Sequence, residues 1–350
     1  MISVNEGRTA AASRMLAEAT QAPQTVARLL AADREACEAL GARLRAQPPQ
    51  NLLTVARGSS DHAAHYMAYL VMARLGRLVT SLPMSLVTLY QSRLQCEGLA
   101  ALAFSQSGQS PDLVAPMRYV REHGAGTVAF VNDAESPLAM ASEWVFPLHA
   151  GAETSVAATK SYIAQLVAGV RFVAHWQGDA DLLSALQRLP DALQAAAGQA
   201  WTPAVEALAT ADRLFVIGRG TGLAIAMEAA LKFKEVCGIQ AEAFSGAEVK
   251  HGPMALVEEG FPMLVFAPRG PAQPGLLALA DEMRRRGARV LLAAPPGTPG
   301  AELPLVPTAN EDLDPISAVQ SFYPMVEALA RMRGLDPDQP RHLAKVTRTQ

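Results

Sequence analysis

Residues 55–76 read VARGSSDHAAHYMAYLVMARLG, and residues 217–238 read IGRGTGLAIAMEAALKFKEVCG. The two stretches align without a gap at an offset of 162. The same offset places LAFSQSG (102–108) on LVFAPRG (264–270). The identical pairs in the longer stretches include Arg57 and Arg219, Gly58 and Gly220, Ala64 and Ala226, Ala68 and Ala230, and Gly76 and Gly238. This preserved register indicates an internal duplication, with chance matching of alanine and glycine as the alternative.

Each copy begins with a β-type run, at 52–58 and at 213–220, which turns at glycine or serine into a long alanine-rich helical pattern. Further apolar runs follow at 78–84, 101–108, 126–132 and 143–149 in the first copy, and at 239–244, 261–268, 288–295 and 303–308 in the second. Helical patterns at 111–123, 156–176 and 274–286 alternate with them. This alternation predicts an α/β fold with parallel sheets. We divide the chain into an N-terminal helical arm (1–45), a first domain (46–177), a helical connector (178–208), a second domain (209–334) and a basic C-terminal tail (335–350).

Composition excludes several classes of protein. A net charge of −3 over 350 residues gives no broad basic field, so we expect no nucleic-acid partner. The three cysteines, Cys37, Cys96 and Cys237, form no C-x-x-C pair, which disfavours a disulfide framework or a structural zinc site. The first twenty residues lack a signal-peptide core, and no run of 18 apolar residues occurs. We therefore expect a soluble, cytoplasmic protein without a membrane partner.

The helical pattern of the second copy carries three charged residues on one face. Glu228, Lys232 and Glu235 stand at i, i+4 and i+7, within a strip about 60° wide on a helix that turns about 100° per residue. One interpretation is that these residues form the solvent-exposed face of a surface helix, with Glu228 and Lys232 as an ordinary i, i+4 ion pair. Because apolar residues cover most of the remaining surface, broken by Lys234, we favour a polar strip that faces a cleft.

A hydroxyl-rich loop follows one strand of the first copy. The segment SQSGQSPD (105–112) offers the hydroxyls of Ser105, Ser107 and Ser110 and the amide of Gln106. Ligands of open parallel sheets lie beyond the carboxyl ends of the strands, where helix N-termini favour anions. We interpret the loop as a phosphate cradle, the alternative being a turn that merely caps its helix. The matching loop of the second copy, APRGPA (267–272), has no serine, which suggests that the copies divided their roles.

Three further segments carry candidate chemistry. RGSSD (57–61) places Ser59 and Ser60 at the first strand-to-helix turn. EVKHGPMAL (248–256) presents His251 on a loop, where an imidazole could move protons near neutral pH, although a structural or merely exposed histidine is the commoner case. PRHLAKVTRTQ (340–350) carries Lys345, and a solvated basic tail is the simplest interpretation of that pattern alone.

Taken together, these segments resemble the sugar isomerase (SIS) domain family, and within it the tandem isomerase half of the glutamine–fructose-6-phosphate aminotransferases. The similar motifs, in order, are RGSSD, SQSGQSPD, GAETSVAATKSY, MEAALKFKEV, AEAFSGAEVKHGPMAL and DPDQPRHLAKVT. The resemblance runs from about residue 15 to the C-terminus. It implies two tandem SIS domains, each a flavodoxin-like parallel sheet flanked by helices.

The resemblance also implies roles for particular residues. Glu235 matches the base that moves a proton between C1 and C2 of a sugar phosphate, and Glu228 and Lys232 match its charged neighbours. His251 matches a ring-opening histidine contributed by the partner subunit, which implies a homodimer. Lys345 matches a lysine that can form a Schiff base with the open-chain sugar. The substrate-binding positions are Ser59, Ser60, Ser105, Gln106, Ser107, Ser110, Val156 and Ala344. No metal or organic cofactor is implied.

The departures from the family's motifs affect which reaction and which substrate we expect. The chain has no room for the glutaminase domain of the full aminotransferase, so we do not expect glutamine-dependent synthesis. Gln109 and Ser110 replace the acid and threonine of the usual loop, and Ala158 stands where members of the family often have a serine. The resemblance implies that the missing hydroxyl bears on which sugar is bound. The SVAATK form together with RGSSD resembles stand-alone SIS-type glucosamine-6-phosphate deaminases. The expected activity is conversion of an amino-sugar 6-phosphate, with glucosamine 6-phosphate favoured, to fructose 6-phosphate and ammonia. The alternatives are a fructosamine-6-phosphate deglycase, another amino-sugar phosphate isomerase, or a non-catalytic phosphosugar-binding regulator.

Overall fold

The structure, a computed structural model, describes residues 12–345 and contains two parallel five-stranded sheets. The first sheet consists of β1 (Leu52–Val55), β2 (Val79–Ser81), β3 (Ala100–Ser105), β4 (Gly126–Val131) and β5 (Trp144–Pro147). The second consists of β6 (Arg213–Gly218), β7 (Gln240–Ser245), β8 (Pro262–Phe266), β9 (Arg289–Ala294) and β10 (Leu303–Pro304). Their orders, β2-β1-β3-β4-β5 and β10-β9-β8-β6-β7, are the same 2-1-3-4-5 topology once each copy is counted from its own first strand. The predicted fold class is confirmed.

Helices surround both sheets. The segment before the first sheet holds α1 (Arg14–Ala19), α2 (Ala22–Ala31) and α3 (Arg34–Ala46). The first sheet is accompanied by α4 (Ser59–Leu75), α5 (Ser85–Thr88), α6 (Pro111–Glu122), α7 (Pro137–Met140) and α8 (Lys160–Gln177). Along the chain, the segment that connects the two copies forms α9 (Ala180–Gln187), α10 (Leu189–Ala197) and α11 (Thr202–Leu208). The second sheet is accompanied by α12 (Thr221–Cys237), α13 (Gln273–Arg285) and α14 (Asp314–Met332), with short 3₁₀ turns at Glu248–Lys250, Pro253–Leu256 and Glu311–Leu313.

The duplication is visible in the helix ends. Helices α4 and α12 begin and end 162 residues apart, and α6 and α13 also begin at that offset. Gly76 and Gly238 end α4 and α12 in the left-handed region, each with a φ of 63°. Glycine is favoured at this position because a side chain there is strained. The repeated glycines of the sequence therefore mark equivalent helix ends in the two copies.

The two copies share one hydrophobic core. One cluster of buried side chains contains residues from α4, α8, α12 and α14 together with the inward faces of both sheets. Two smaller clusters cover the opposite faces of the first and the second sheet. Alternation along β3 shows the division, since Leu102 and Phe104 enter the shared core while Ala101 and Ala103 face the smaller cluster. This shared core fixes the two copies against each other.

One helix boundary differs from the sequence expectation. We expected a helix over 156–176, but α8 begins at Lys160. The residues before it are held in a loop because the buried carboxylate of Glu153 accepts hydrogen bonds from the backbone N–H groups of Thr159 and Ser161. A side chain seven residues before Lys160 therefore sets where this helix starts.

Candidate active site

The two serine-containing turns of the first copy lie side by side. They follow β1 and β3, which are adjacent parallel strands, so both turns lie at the same edge of the sheet. Arg57 Nε donates to Asp112 Oδ2 at 3.0 Å and so links the turn at Ser59 and Ser60 to the loop at 105–112. The two turns that carry the predicted hydroxyls are therefore neighbours at one edge of the first sheet.

Internal hydrogen bonds shape the serine loop. The buried Ser105 accepts at Oγ from the Gly108 N–H at 3.0 Å, and Ser107 Oγ accepts from the Gln109 N–H at 3.3 Å. Gly108 has a φ of +64°, and a Cβ there would lie 2.2 Å from Ser136 Oγ. Glycine is thus required at this position by the packing of the loop itself.

The exposed side of the loop keeps polar groups available. Gln106, Ser107 and Ser110 are half-buried. Ser110 occupies the N-cap position of α6, yet its side chain makes no capping hydrogen bond. The simple capping role is therefore not what this hydroxyl performs, and it lies at a helix end whose dipole favours an anion.

The charged strip of α12 packs against the first copy. Glu228 and Lys232 are fully buried, so neither lies on the wet side of a surface helix. Lys232 Nζ lies 3.2 Å from Glu228 Oε1 and 2.6 Å from Glu235 Oε2. Lys234, by contrast, is exposed. The strip is a buried ion-pair network whose one partly exposed member is Glu235, with 18% of its side chain accessible.

Two side chains of α4 complete this network across the domain boundary. Ser59 Oγ donates to Glu228 Oε1 at 3.1 Å and accepts from Lys232 Nζ at 3.1 Å. His62 Nδ1 lies 2.9 Å from Glu228 Oε2. The hydroxyl of Ser59 thus joins the RGSSD turn of one copy to the charged strip of the other.

Mutual attraction outweighs burial in this network. Burial alone would raise the pKa of Glu228, but Lys232 and His62 together hold that pKa below its usual value. Burial would lower the pKa of Lys232, whereas Glu228 and Glu235 hold it above its usual value. Both groups are therefore charged at neutral pH, and Lys232 keeps the carboxylate of Glu235 in a fixed position.

Glu235 borders a cleft of about 940 Å³ between the end of α12 and the C-terminal tail. Its lining includes Leu231, Arg333, Gln339, Arg341 and Leu343. The predicted phosphate-loop serines are not part of that lining. The link between the two regions is indirect: Arg57 contacts Asp112 near the start of α6, and Ser59, two residues after Arg57, contacts Lys232, which pairs with Glu235.

The remaining substrate-binding positions lie around α8 and the tail. Ser60 Oγ accepts from Gln165 Nε2 at 2.9 Å. Val156 is half-buried in the loop before α8, and Ala344 is exposed. Lys345 is not simply solvated, because its Nζ lies 3.2 Å from Oε2 of the buried Glu153 on that same loop.

His251 lies apart from these residues. It is exposed, between the 3₁₀ turns at Glu248–Lys250 and Pro253–Leu256. None of its contacts within the described residues joins it to Glu235 or to the serine loop. Its expected contribution from a partner subunit stays a prediction.

Sequence reasoning missed three groups in this region. His62 contacts Glu228, Glu153 contacts Lys345, and Tyr323 is fully buried with a hydroxyl that has no hydrogen-bond partner within residues 12–345. Burial raises the pKa of Tyr323 well above its usual value, with Glu228, Tyr162, Glu153 and Glu235 adding to the effect. His62 could have been found, because it stands one helical turn after Ser59. Glu153 and Tyr323 carry no such local signal.

The equivalent loop of the second copy is closed by its own ion pair. Arg269 stands where the offset places Ser107, and its guanidinium donates to both carboxylate oxygens of the buried Asp314, at 2.7 and 2.8 Å. Asp314 Oδ1 also accepts from the N–H and the hydroxyl of Thr308. The absence of serines in this loop therefore accompanies a different internal structure.

Two features are absent from residues 12–345. No group of three or more histidine, cysteine, aspartate or glutamate side chains is arranged there to hold a metal ion. No helix in the same range combines the length and the apolar character needed to cross a bilayer.

Fold and site together define a class, the duplicated flavodoxin-like α/β proteins whose two copies meet at one polar site. The SIS domain family matches this chain twice, at residues 47–174 and 207–326, and the chain belongs to that family. The resemblance inferred from the motifs is thereby confirmed.

Individual relatives agree with this assignment. The glutamine–fructose-6-phosphate aminotransferase of Symbiobacterium thermophilum is 35% identical over 312 residues, which are 83% of this chain and 50% of that protein. The chain thus spans about half the length of the curated relatives it matches. A crystal structure of a candidate phosphosugar isomerase from Silicibacter pomeroyi DSS-3 is 44% identical, with a TM-score of 0.88 over 93% of this chain and 100% of that one. A glucosamine-6-phosphate deaminase of Thermotoga maritima shares the fold, with 21% identity and a TM-score of 0.77 over 96% of this chain and 100% of that one.

Proposed function

We propose that the protein is a phosphosugar isomerase that converts an amino-sugar 6-phosphate, glucosamine 6-phosphate in first place, to fructose 6-phosphate and ammonia. The observation that carries the proposal is that the RGSSD turn contacts both regions: its Arg57 bonds Asp112 near the start of α6, and its Ser59 bonds Lys232, which pairs with Glu235. These links support a single site that combines the serine loop, as the anion-binding surface, with the partly exposed carboxylate of Glu235. Membership of the SIS family and the names of the relatives support the same class of substrate.

The proposed reaction begins with binding and ring opening. Ser107, Ser110 and Gln106 hold the phosphate at the start of α6, and Ser105 holds the loop in shape. His251, supplied by a second copy of the chain, transfers a proton to open the pyranose ring. The open-chain 2-amino aldehyde then lies with C1 and C2 beside Glu235.

Proton transfer and hydrolysis follow. Glu235 removes the proton from C2 and returns it to C1, which converts the 2-amino aldehyde to a C2 imine through an enolamine. Water adds to C2 and ammonia leaves, so one amino-sugar phosphate and one water give one ketose phosphate and one ammonia. Lys345 assists at the carbonyl, as a proton donor or through a transient imine. Glu228 and Lys232 are buried, and their part is to fix Glu235.

Ammonia release from a panel of hexosamine 6-phosphates and fructosamine 6-phosphate tests the proposal. We expect release from glucosamine 6-phosphate and a fall in kcat of about 10²- to 10⁴-fold in Glu235→Gln. Glu242→Gln, which changes an exposed carboxylate on β7, is the matched control and should keep the wild-type rate.

Other outcomes separate the alternatives. Release from fructosamine 6-phosphate alone would favour the deglycase, and aldose–ketose interconversion without ammonia would favour an isomerase. Tight binding of a sugar phosphate with no turnover of any member of the panel would favour the regulator. A Glu235→Gln variant with a normal rate and normal exchange of the C1 or C2 proton with solvent would remove Glu235 from its role.

A further inference from the structure

Glu153 is a buried carboxylate with a rigid setting. Its side chain is fully inaccessible to solvent. Oε1 accepts from the N–H groups of Thr159 and Ser161, each at 3.1 Å, and Oε2 accepts from Ser161 Oγ at 2.5 Å. These bonds place the carboxylate at the N-terminus of α8, an 18-residue helix whose dipole favours an anion there. The carboxylate is therefore a preorganised anchor on the loop that carries Val156.

The cation that reaches this anchor comes from the far end of the chain. Lys345 Nζ lies 3.2 Å from Glu153 Oε2, across 192 positions of sequence. The neighbouring cation, Lys160, donates instead to Gln21 Oε1 at 2.7 Å. Lys345 is thus the ammonium group within hydrogen-bond distance of this carboxylate among the described residues.

Within residues 336–345, side-chain hydrogen bonds attach the tail to the rest of the protein at two points, Asp338 and Lys345. Asp338 accepts from the N–H groups of Arg14 and Met15, at 2.8 and 2.9 Å, at the start of α1. Residues 341–344 between the two attachments are exposed. Because exposed segments without buried contacts are the first to detach, the contact of Lys345 with Glu153 is expected to keep residues 341–345 on the protein.

We infer that Glu153 is a positioning residue that docks Lys345 and thereby holds the C-terminal tail over the loop at Val156. The docking itself needs no substrate, whereas its consequence for turnover rests on the proposed function. Removal of the anchor leaves Lys345 chemically intact but no longer held beside the site, so the loss of rate should equal the loss caused by removing Lys345.

Hydrogen exchange of the full chain without substrate tests the docking. We expect backbone amides of residues 339–345 to exchange about five- to tenfold faster in Glu153→Gln and in Lys345→Ala, while Lys345→Arg stays near the wild type because it keeps the charge. The control is Glu143→Gln. Glu143 lies on the same domain as Glu153, and its substitution breaks an exposed ion pair with Arg43. Unchanged exchange in Lys345→Ala would overturn the inference even if Glu153→Gln does not fold.

A double-mutant cycle tests the consequence for turnover. If Glu153 acts through Lys345, the double variant should be no slower than Lys345→Ala alone. If the rate loss of the double variant equals the product of the losses in the two single variants, Glu153 acts independently of Lys345. That result would overturn the positioning role. If no amino-sugar phosphate is turned over by the wild type, the proposed function fails while the exchange experiment still decides the docking.

Discussion

Gly108 shows how one residue controls the serine loop. Its positive φ disfavours any side chain, and the space where a Cβ would stand is filled by Ser136 and Val131. The loop therefore folds tightly over the end of β4 because this position has no side chain. The hydroxyls of Ser107 and Ser110 on either side depend on that fold for their position.

Gly108→Ala should be more destabilising than a substitution at a glycine with the same backbone conformation and free space. Gly76 has a φ of +63°, and no atom lies within 4 Å of the point that a Cβ would occupy there. Backbone strain should cost about 1 kcal/mol at either site, and the clash with Ser136 should add about 1–3 kcal/mol at Gly108 alone. Urea unfolding of Gly108→Ala and Gly76→Ala measures the difference. Equal midpoints would show that the loop relaxes freely around the new methyl group.

Residues of the site differ in how far the sequence predicts them. The serine loop was predictable because strand, glycine, hydroxyls and helix-starting proline all stand within eight residues. Glu153 was not predictable, because its proposed role depends on Lys345, which lies at the other end of the chain. His62 falls between these cases, since helical periodicity places it near Ser59 but gives no sign of Glu228.

At the scale of elements, the charged side chains of helix α12 face helix α4. Its polar strip packs on α4 of the first copy, and Ser59 and His62 supply the groups that satisfy it. Replacing Lys232 would leave Glu228 as a buried carboxylate without its principal cation. Loss of one partner of a buried ion pair costs more than the pair itself contributes.

Lys232→Met should lower the free energy of unfolding by about 3–5 kcal/mol at pH 7. In the wild type the pKa of Glu228 is lowered, so its contribution to stability is present above about pH 4.3 and is lost as pH falls through the lowered pKa. In the variant, burial dominates and Glu228 can be protonated more readily. The difference in the free energy of unfolding between the wild type and Lys232→Met should therefore shrink as pH falls from 7 toward 4.

Denaturant titrations at several pH values check this dependence. Lys234→Met alters the exposed lysine two positions along the same helix and should change stability by less than about 0.5 kcal/mol at every pH. A Lys232→Met difference that stays constant between pH 7 and pH 4 would mean that Glu228 is not the group left unpaired.

The sequence predicted α12 and its narrow charged strip, but it could not reveal what the strip faces. A polar face on a helix is satisfied equally well by water or by groups from another helix, and periodicity is the same in both cases. The ten strands were easier, because each is a short apolar run between turn residues. The start of α8 was missed because the carboxylate of Glu153, and not the local pattern, decides it.

For the whole molecule, the shared core makes the two copies one unit, and His251 stands on the outside of that unit. An exposed histidine can act at the site proposed here when it belongs to a second chain. The assembly that this requires is a closed dimer in which each site combines residues from both subunits.

Mixing two inactive variants tests this arrangement. His251→Ala and Glu235→Gln should each be inactive alone, but a hybrid dimer would contain one intact site, made of Glu235 from one chain and His251 from the other. An equimolar mixture that exchanges subunits should recover about a quarter of the wild-type rate. Absence of recovery, with subunit exchange demonstrated by mass spectrometry, would place both residues in the same chain's site or remove His251 from the reaction.

The Arg269–Asp314 pair has a consequence for the history of the chain. A serine at position 269 would remove the guanidinium that pairs with the buried Asp314 and would leave that carboxylate, in the part of the chain that the structure describes, with only the N–H and hydroxyl of Thr308. A single change toward the serine loop of the first copy would therefore lower the stability of the second lobe, which is a physical reason for the two lobes to keep different loops.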